Sequence, residues 1–433
     1  MNNFLVGMAK TNVTPPLGTL LYGYPLERPA SKLLDEIEVG AIAIKQDSEV
    51  IVFISAEICS MNLDNCQSVA EAVSKATDTK KENVLYSCIH THSAPITRTS
   101  AGWGTADEEY VNNTLIPKSI EVAKNAIANM QPAIMAIGSV ESYVGINRRE
   151  FNSDGEVILG QNPNRPYDPT MTVFVFKSTK GNNIGTMIHF ATHPTSAGPN
   201  FSITRDWPGY MIDRVEAITG APCMYINGAE GDVGPRLSNG KTTGDDSCIE
   251  EIGLIAANDA EKAVNSAVDF KVPEIKIMTE TIQLPFIEMP SLESVIRDME
   301  AMGDPSKLIE VDISTYARLE KIKKIYDDGA EIPTYMELNQ TVISFDDLAI
   351  VPLPFECFCN IALSLREKSP YSQTLLFGLT GGSFGYLPTE DQLSLGGYEI
   401  ASFRAATIPG FIDSLDKYLV TENVNLLKQL YNK

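Results

Sequence analysis

The chain has 433 residues, 43% hydrophobic and 21% charged, enough apolar surface for a sizeable core and no sign of a disordered or low-complexity tract. A formal net charge of −22 with pI near 4.6 repels phosphate backbones and anionic bilayers, which argues against nucleic acid as a partner. Seven cysteines without framework spacing, and an amino terminus with neither a basic leader nor a long apolar run, predict a cytoplasmic protein with no transmembrane segment.

Phe4 to Thr14 alternates as a strand, ended by Pro15-Pro16-Leu17-Gly18 and followed by a glycine loop at Leu21-Tyr22-Gly23-Tyr24. Val39 to Lys45 and Val50 to Ser55 read as a hairpin, with Glu57 just beyond it, either reaching a cleft or solvated at the strand end. Asn62 to Thr77 has helical spacing, with Val69, Val73 and Ala76 on one side and Asp64 or Asn62 as cap. A buried strand from Asn83 to Cys88 then runs into His90-Thr91-His92-Ser93-Ala94-Pro95. Residues two apart in an extended segment share a face, so both imidazoles point into one cleft.

Tyr110 to Met130 carries a helical apolar stripe, closed by Pro132, and Ala133 to Val144 resumes as strand. Gly145-Ile146-Asn147-Arg148-Arg149 opens a polar loop to Pro169, whose adjacent arginines either clamp a carboxylate or polar head group or lie solvated. Met171 to Lys177 and Asn183 to Phe190 form a second hairpin, which delivers His189 and His193. One strand-end histidine is commonly a satisfied polar residue, but two clusters holding all four histidines of the chain favour a metal site.

Asp206 caps a helix to Thr219, and the strand Pro222 to Ile226 empties into the glycine-containing turn Asn227 to Pro235, which is able to aim amides at an oxyanion. Asp246 to Val268 reads as helix and Glu274 to Leu284 as strand. A charged helical hairpin within about residues 288–330 forms a surface insertion that either covers the cleft or is inert. Strands follow at Glu337 to Phe345, at Leu348 to Pro352 leading to Pro354-Phe355-Glu356, and at Thr374 to Leu379 leading to Gly385-Tyr386-Leu387-Pro388-Thr389. The last helix spans Ile412 to Tyr431. Cys357 and Cys359 invite a thiolate-ligand reading, but alternation turns both away from Glu356 and predicts buried, non-ligating thiols. Together these elements predict a single large α/β domain over residues 1–433, with a mixed β-sheet core, flanking helices, a helical surface insertion and a metal site at strand ends.

His90 to Pro95, Phe190 to Ser196, Gly231-Asp232-Val233-Gly234-Pro235, Pro354-Phe355-Glu356 and Gly385 to Thr389 occur in the order of the motifs of the neutral/alkaline non-lysosomal ceramidase family. Val6 to Pro16 and Gly145 to Arg148 also resemble that family, so the likeness covers nearly the whole chain. The resemblance implies a zinc ion held by His90, His193, Glu356 and Tyr386, with His92, Arg148 and Tyr398 as catalytic residues. It implies that Arg148, Asp232 and Gly234 lie near the substrate, and it leaves His189 outside the ligand set. A mixed nitrogen and oxygen donor set suits zinc and metal-assisted acyl transfer to water.

Two departures stand out. The family has a serine where this chain has Gly234, and members known for ceramide carry a carboxyl-terminal immunoglobulin-like domain that is not expected here. The expected function is therefore a zinc-dependent hydrolase of an amide or ester, with a small-molecule or lipid-like substrate, either ceramide or something more polar. Two alternatives remain open: a catalytically impaired metal- or ligand-binding homologue, and a phosphoester or sugar-modifying hydrolase on the same scaffold. Oligomeric state is not legible.

Overall fold

The computed structural model describes residues 4–433. Its larger sheet contains β1 (Phe4–Asn12), β2 (Glu38–Gln46), β3 (Glu49–Ala56), β4 (Val84–Cys88), β5 (Gln131–Glu141), β6 (Thr170–Ser178), β7 (Asn183–Phe190) and β8 (Cys223–Asn227), in the order β8-β7-β6-β5-β1-β2-β3-β4. The β3–β4 and β7–β8 pairs are parallel and the others antiparallel, which makes the sheet mixed as expected. Alternation sets its faces: Phe4, Val6 and Met8 of β1 join one core layer and Ala9 packs in the other.

The pairing of β5 controls where the site forms. It meets β1 only through Gln131 and Pro132 and then lies along β6 over its full length. The sheet therefore folds over, and β8 returns against β3 and the end of β4. Ser55 Oγ donates to the Tyr225 carbonyl, and Asn227 Nδ2 donates to the Ile89 carbonyl at 3.0 Å. The ends of β4 and β7, far apart in strand order, are thereby brought together.

A second sheet, β9 (Ile275–Pro285), β10 (Tyr335–Phe345), β11 (Leu348–Pro352) and β12 (Gln373–Phe377), packs its Phe345, Ile350 and Phe377 against Phe53, Phe174 and Met187 of the first. Sequence alternation shows that a strand face is buried but not which layer covers it, so this pairing of sheets was not legible. Each large aliphatic or aromatic side chain enclosed there contributes roughly 1.5–3 kcal/mol.

Helices cover the outer faces: α1 (Leu63–Ala76) and α2 (Ile116–Ala128) on one half of the large sheet, α3 (Trp207–Thr219) and α4 (Asp246–Ser266) on the other. The caps are those expected: the Asn62 side chain accepts from Asn65 N at 2.8 Å, and Asp206 accepts from Trp207 N at 2.7 Å. Before α2 the chain makes a wide π turn over Val111–Leu115, just ahead of Pro117, a residue that cannot donate a helical hydrogen bond.

The insertion is a helix pair, α5 (Leu292–Met302) and α6 (Glu310–Asp328), leaving and re-entering the paired ends of β9 and β10 and closing on Val295, Leu319 and Ile322. Helices α7 (Cys359–Lys368) and α8 (Tyr398–Ala406) are short and were not anticipated; α9 (Leu415–Asn432) ends the chain. No helix among the described residues is long and apolar enough to cross a membrane.

Candidate metal centre and active site

His90 follows β4 in a left-handed conformation, with φ of 75°. An extended backbone was expected there, and the observed turn costs about 1–3 kcal/mol for a non-glycine residue. His90 N donates to the Ile58 carbonyl at 3.0 Å and His90 Nδ1 to the Cys59 carbonyl at 2.8 Å, which leaves Nε2 free to face inward. His193, beyond β7, is held the same way: its Nδ1 donates to the Glu230 carbonyl at 2.7 Å. Such hydrogen bonds fix the tautomer and aim the second nitrogen.

Glu356 lies on a two-residue strand, Glu356–Cys357, paired in parallel with Tyr386–Leu387. Its Oε2 stands 3.3 Å from His90 Nε2 and 3.4 Å from His193 Nε2, and the three atoms all lie within 4.8 Å of one another. His193 Nε2 and Glu356 Oε2 are buried without a hydrogen-bond partner. Two lone pairs and a carboxylate oxygen pointed at one another require a positive charge between them, so these residues fit a cation. Imidazole and carboxylate donors suit zinc.

The electrostatics agree. Burial, reinforced by Arg148, pushes His193 down to about 3, keeping it a neutral donor. Against burial, which opposes it, the proximity of His90 and His193 holds Glu356 well below the usual carboxylate range. Burial also pulls on His90, but Cys59 and Glu356 outweigh it and hold that imidazole well above its ordinary value.

Tyr386 stacks on His193, with centroids 6.3 Å apart, and its hydroxyl accepts from Arg148 Nη2 at 2.9 Å. Arg148 Nε donates to Glu399 Oε1 at 2.9 Å, and Arg149 Nη1 donates to Glu399 Oε2 at 2.7 Å. The adjacent arginines do clamp a carboxylate, but it belongs to the protein itself. Tyr398 lies edge-on to Tyr386 at 5.6 Å and faces the cleft. His92 Nε2 is 3.3 Å from His90 Nε2, so both imidazoles of the first motif do share the cleft. Gly23 and Tyr24 pack against His92, and Arg28 Nη2 donates to its carbonyl at 2.8 Å. The cavity beside these groups is about 100 Å³ and opens to solvent.

The family profile described as neutral/alkaline non-lysosomal ceramidase, N-terminal, matches residues 4–253. The chain belongs to this ceramidase family. In structure it is similar to the neutral ceramidase from Pseudomonas aeruginosa, with a TM-score of 0.74, 17% identity, and 99% of this chain and 75% of that one covered. It is also similar to a ceramidase complexed with C2, with a TM-score of 0.73, 17% identity, and 99% and 76% covered. No curated protein matches it by sequence.

Other residues of this ceramidase-family chain are placed less directly. Asp232 does not line the cleft; burial pushes it up to about 6, and it accepts from Cys359 N at 2.7 Å and Asn147 Nδ2 at 2.9 Å. Its carbonyl accepts from Arg148 N at 2.8 Å, so it positions the arginine. Gly234 is paired with Ile146 and its Cα–H faces Thr242, away from the cleft lining.

In the turn from Asn227 to Pro235 two of the glycine amides are taken up by backbone carbonyls. Gly228 N donates to the Phe190 carbonyl at 2.9 Å and Gly231 N to the Cys357 carbonyl at 2.8 Å. It is the turn's carbonyl at Glu230 that acts on the site, through His193. His189 is structural, donating from Nε2 to the Leu376 carbonyl at 2.8 Å and stacking on Phe377. Glu57 is neither solvated nor in the cleft: it is buried and accepts from Glu38 N at 2.6 Å. Cys357 and Cys359 are buried and outside the ligand cluster, although Cys359 opens a helix rather than extending the strand.

Sequence reasoning missed Cys59, Arg98 and Glu399, and it left open whether the insertion reaches the site. Val311 and Ser314 of α6 do line the cleft. None of these positions stands in a recognisable pattern, because each acts through contacts made across the fold.

Proposed function

We propose that this protein is a zinc-dependent hydrolase that cleaves an amide or ester, either an N-acyl amide such as ceramide or a more polar acyl compound. The observation that carries this reading is the convergence of His90 Nε2, His193 Nε2 and Glu356 Oε2 beside an open cleft. These three residues, with the Tyr386 oxygen as fourth donor, would hold the ion. When bound, it supplies a Lewis acid that polarises a carbonyl and brings the pKa of water to about 7.

The chain's own side chains do the remaining work. Arg148 orients the Tyr386 oxygen through the 2.9 Å hydrogen bond, and Glu399 fixes Arg148. His92 presents its imidazole at the same point, where it can donate to a developing oxyanion or pass a proton to the leaving group, a contribution of roughly 10² to 10⁴ in rate. Tyr398 offers a phenol to the substrate from the cleft wall. The seven cysteines are all unpaired, which supports a reducing compartment such as the cytoplasm.

The test is elemental analysis together with turnover on panels of acyl amides and esters. Stoichiometric zinc and chelator-sensitive hydrolysis are expected, and normal turnover by His90→Ala or His193→Ala protein would overturn the reading. Gly234 motivates a second reading, a binding protein without catalysis, which requires zinc and ligand stabilisation but no hydrolysis anywhere on the panel. A phosphoester or sugar substrate has less support, since Arg148 and Arg149 both engage Glu399.

A further inference from the structure

Arg98 stands in the cleft wall with Tyr22, Ser100 and Trp103. Its Nη1 donates to the Ser383 carbonyl at 2.6 Å and the Tyr22 side chain also bonds to it, while its Nε is buried and has no partner. Four other enclosed arginines pair with carboxylates, Arg148 and Arg149 with Glu399, Arg205 with Asp35 and Asp213, and Arg366 with Asp168, whereas Arg28 bonds only to carbonyls. Arg98 forms no such ion pair among the described residues. A half-buried guanidinium in a cleft wall, with no ion pair of its own and its Nε enclosed, is a ready partner for an anion entering from outside.

The surroundings reinforce the point. Glu356 is the only carboxylate among the residues lining the cleft, and it is already committed to His90 and His193. Behind the wall Arg28 donates to the carbonyls of Tyr22, His92 and Asn200 and likewise has no acidic partner. In a chain of net charge −22, Arg98 and Arg28 thus place two guanidinium groups without ion pairs at and behind the cleft wall, a local arrangement that favours an anion there.

We infer that Arg98 recognises a carboxylate on the substrate, so that the preferred substrate is an acyl compound bearing a free acid, such as an N-acylated amino acid. This rests on the hydrolase reading of the same cleft. A carboxylate fits better than a phosphate dianion, because Arg98 is the one guanidinium in the cleft lining and its single positive charge matches a single negative one.

The experiment compares N-octanoylglycine with N-octanoylglycinamide on the zinc-loaded protein and its Arg98→Gln and Arg98→Lys variants. The wild type should favour the acid by about 10- to 100-fold in kcat/KM, the worth of a hydrogen bond to a charged group. Arg98→Gln should collapse that ratio, mainly through KM for the acid, and Arg98→Lys should recover part of it. Binding of the acid to the protein as purified is followed in parallel by calorimetry and by fluorescence of Trp103, which lines the cleft.

Equal use of both compounds by the wild type, an equal loss on both in Arg98→Gln, or acid binding indifferent to Arg98→Gln overturns the inference. Should neither compound be hydrolysed, the hydrolase reading is decided separately by the panel of amides and esters, and the binding comparison still decides whether Arg98 holds the acid.

Discussion

Gly23 and His92 are packed so closely that a β-carbon added to the glycine would stand 2.3 Å from Cγ of the imidazole. Gly23 also has φ of 103°, a conformation that other residues resist. Gly23→Ala should therefore push the His92 ring out of line while leaving His90, His193 and Glu356 in place. A fall in kcat of roughly 10²-fold or more is expected, with zinc content by elemental analysis unchanged. Loss of the metal along with turnover would contradict the separate role given to His92.

Removal of any core ligand should act on stability as well as on rate. Zinc at about 100 times its dissociation constant stabilises a protein that binds it only when folded by about 2.7 kcal/mol. The wild type should accordingly melt higher with zinc than with chelator. His193→Ala and Glu356→Gln should show little or no such difference in thermal scans.

Glu399 lies fully buried between Arg148 and Arg149, and Glu399→Gln leaves two enclosed guanidinium groups with one amide between them. Breaking a buried ion pair from one side costs about 3–5 kcal/mol. Urea unfolding should register that loss, and kcat should fall with it, because Arg148 is what holds the Tyr386 hydroxyl.

Restoring the family serine should not restore anything here. A β-carbon at Gly234 would lie 2.5 Å from Cβ of Thr242, so Gly234→Ser overfills the space. Such overpacking costs about 1–3 kcal/mol. Unfolding midpoints of Gly234→Ser and of its combination with Thr242→Gly should show a clear loss for the first and partial recovery for the second, with no gain in turnover in either.

Burial pushes Glu57 up to about 8, although Arg205 and Lys10 oppose it. The folded state therefore holds this proton more tightly than the unfolded chain, whose glutamate titrates near 4.5. Its contribution to stability is full below about pH 4.5 and is lost as pH rises toward 8. Glu57→Gln, neutral throughout, should gain in melting temperature relative to wild type as pH is raised from 5 to 9 in a series of thermal scans at about one-unit steps.

The parts of the site that could be read from sequence are those carried by local pattern. Apolar runs that stop at histidine or glutamate located His90, His193 and Glu356 at strand ends, and the caps of α1 and α3 followed from Asn62 and Asp206. What escaped depends on contacts between distant segments. Arg148 and Arg149 were open between a clamp on a carboxylate or polar head group and a solvated loop, and the carboxylate they hold, Glu399, lies about 250 positions on, with nothing local to mark it. His189 matches the pattern of a ligand as well as His193 does, and only its bond to Leu376 and its stacking on Phe377 set it apart. Alternation predicted a shared face for His90 and His92; the rings meet even though His90 leaves the extended conformation, because the Cys59 carbonyl and Gly23 hold each one in place.

The folding-over of the large sheet has a consequence for biogenesis. His90 and His193 meet only after β8 has returned against β3, and Glu356 and Tyr386 arrive from the last quarter of the chain. A nascent polypeptide halted after residue 253 would carry just His90 and His193 of the four side chains proposed to hold the ion. Such long-range closure is entropically late, so under the proposed function metal loading would await the fully synthesised chain.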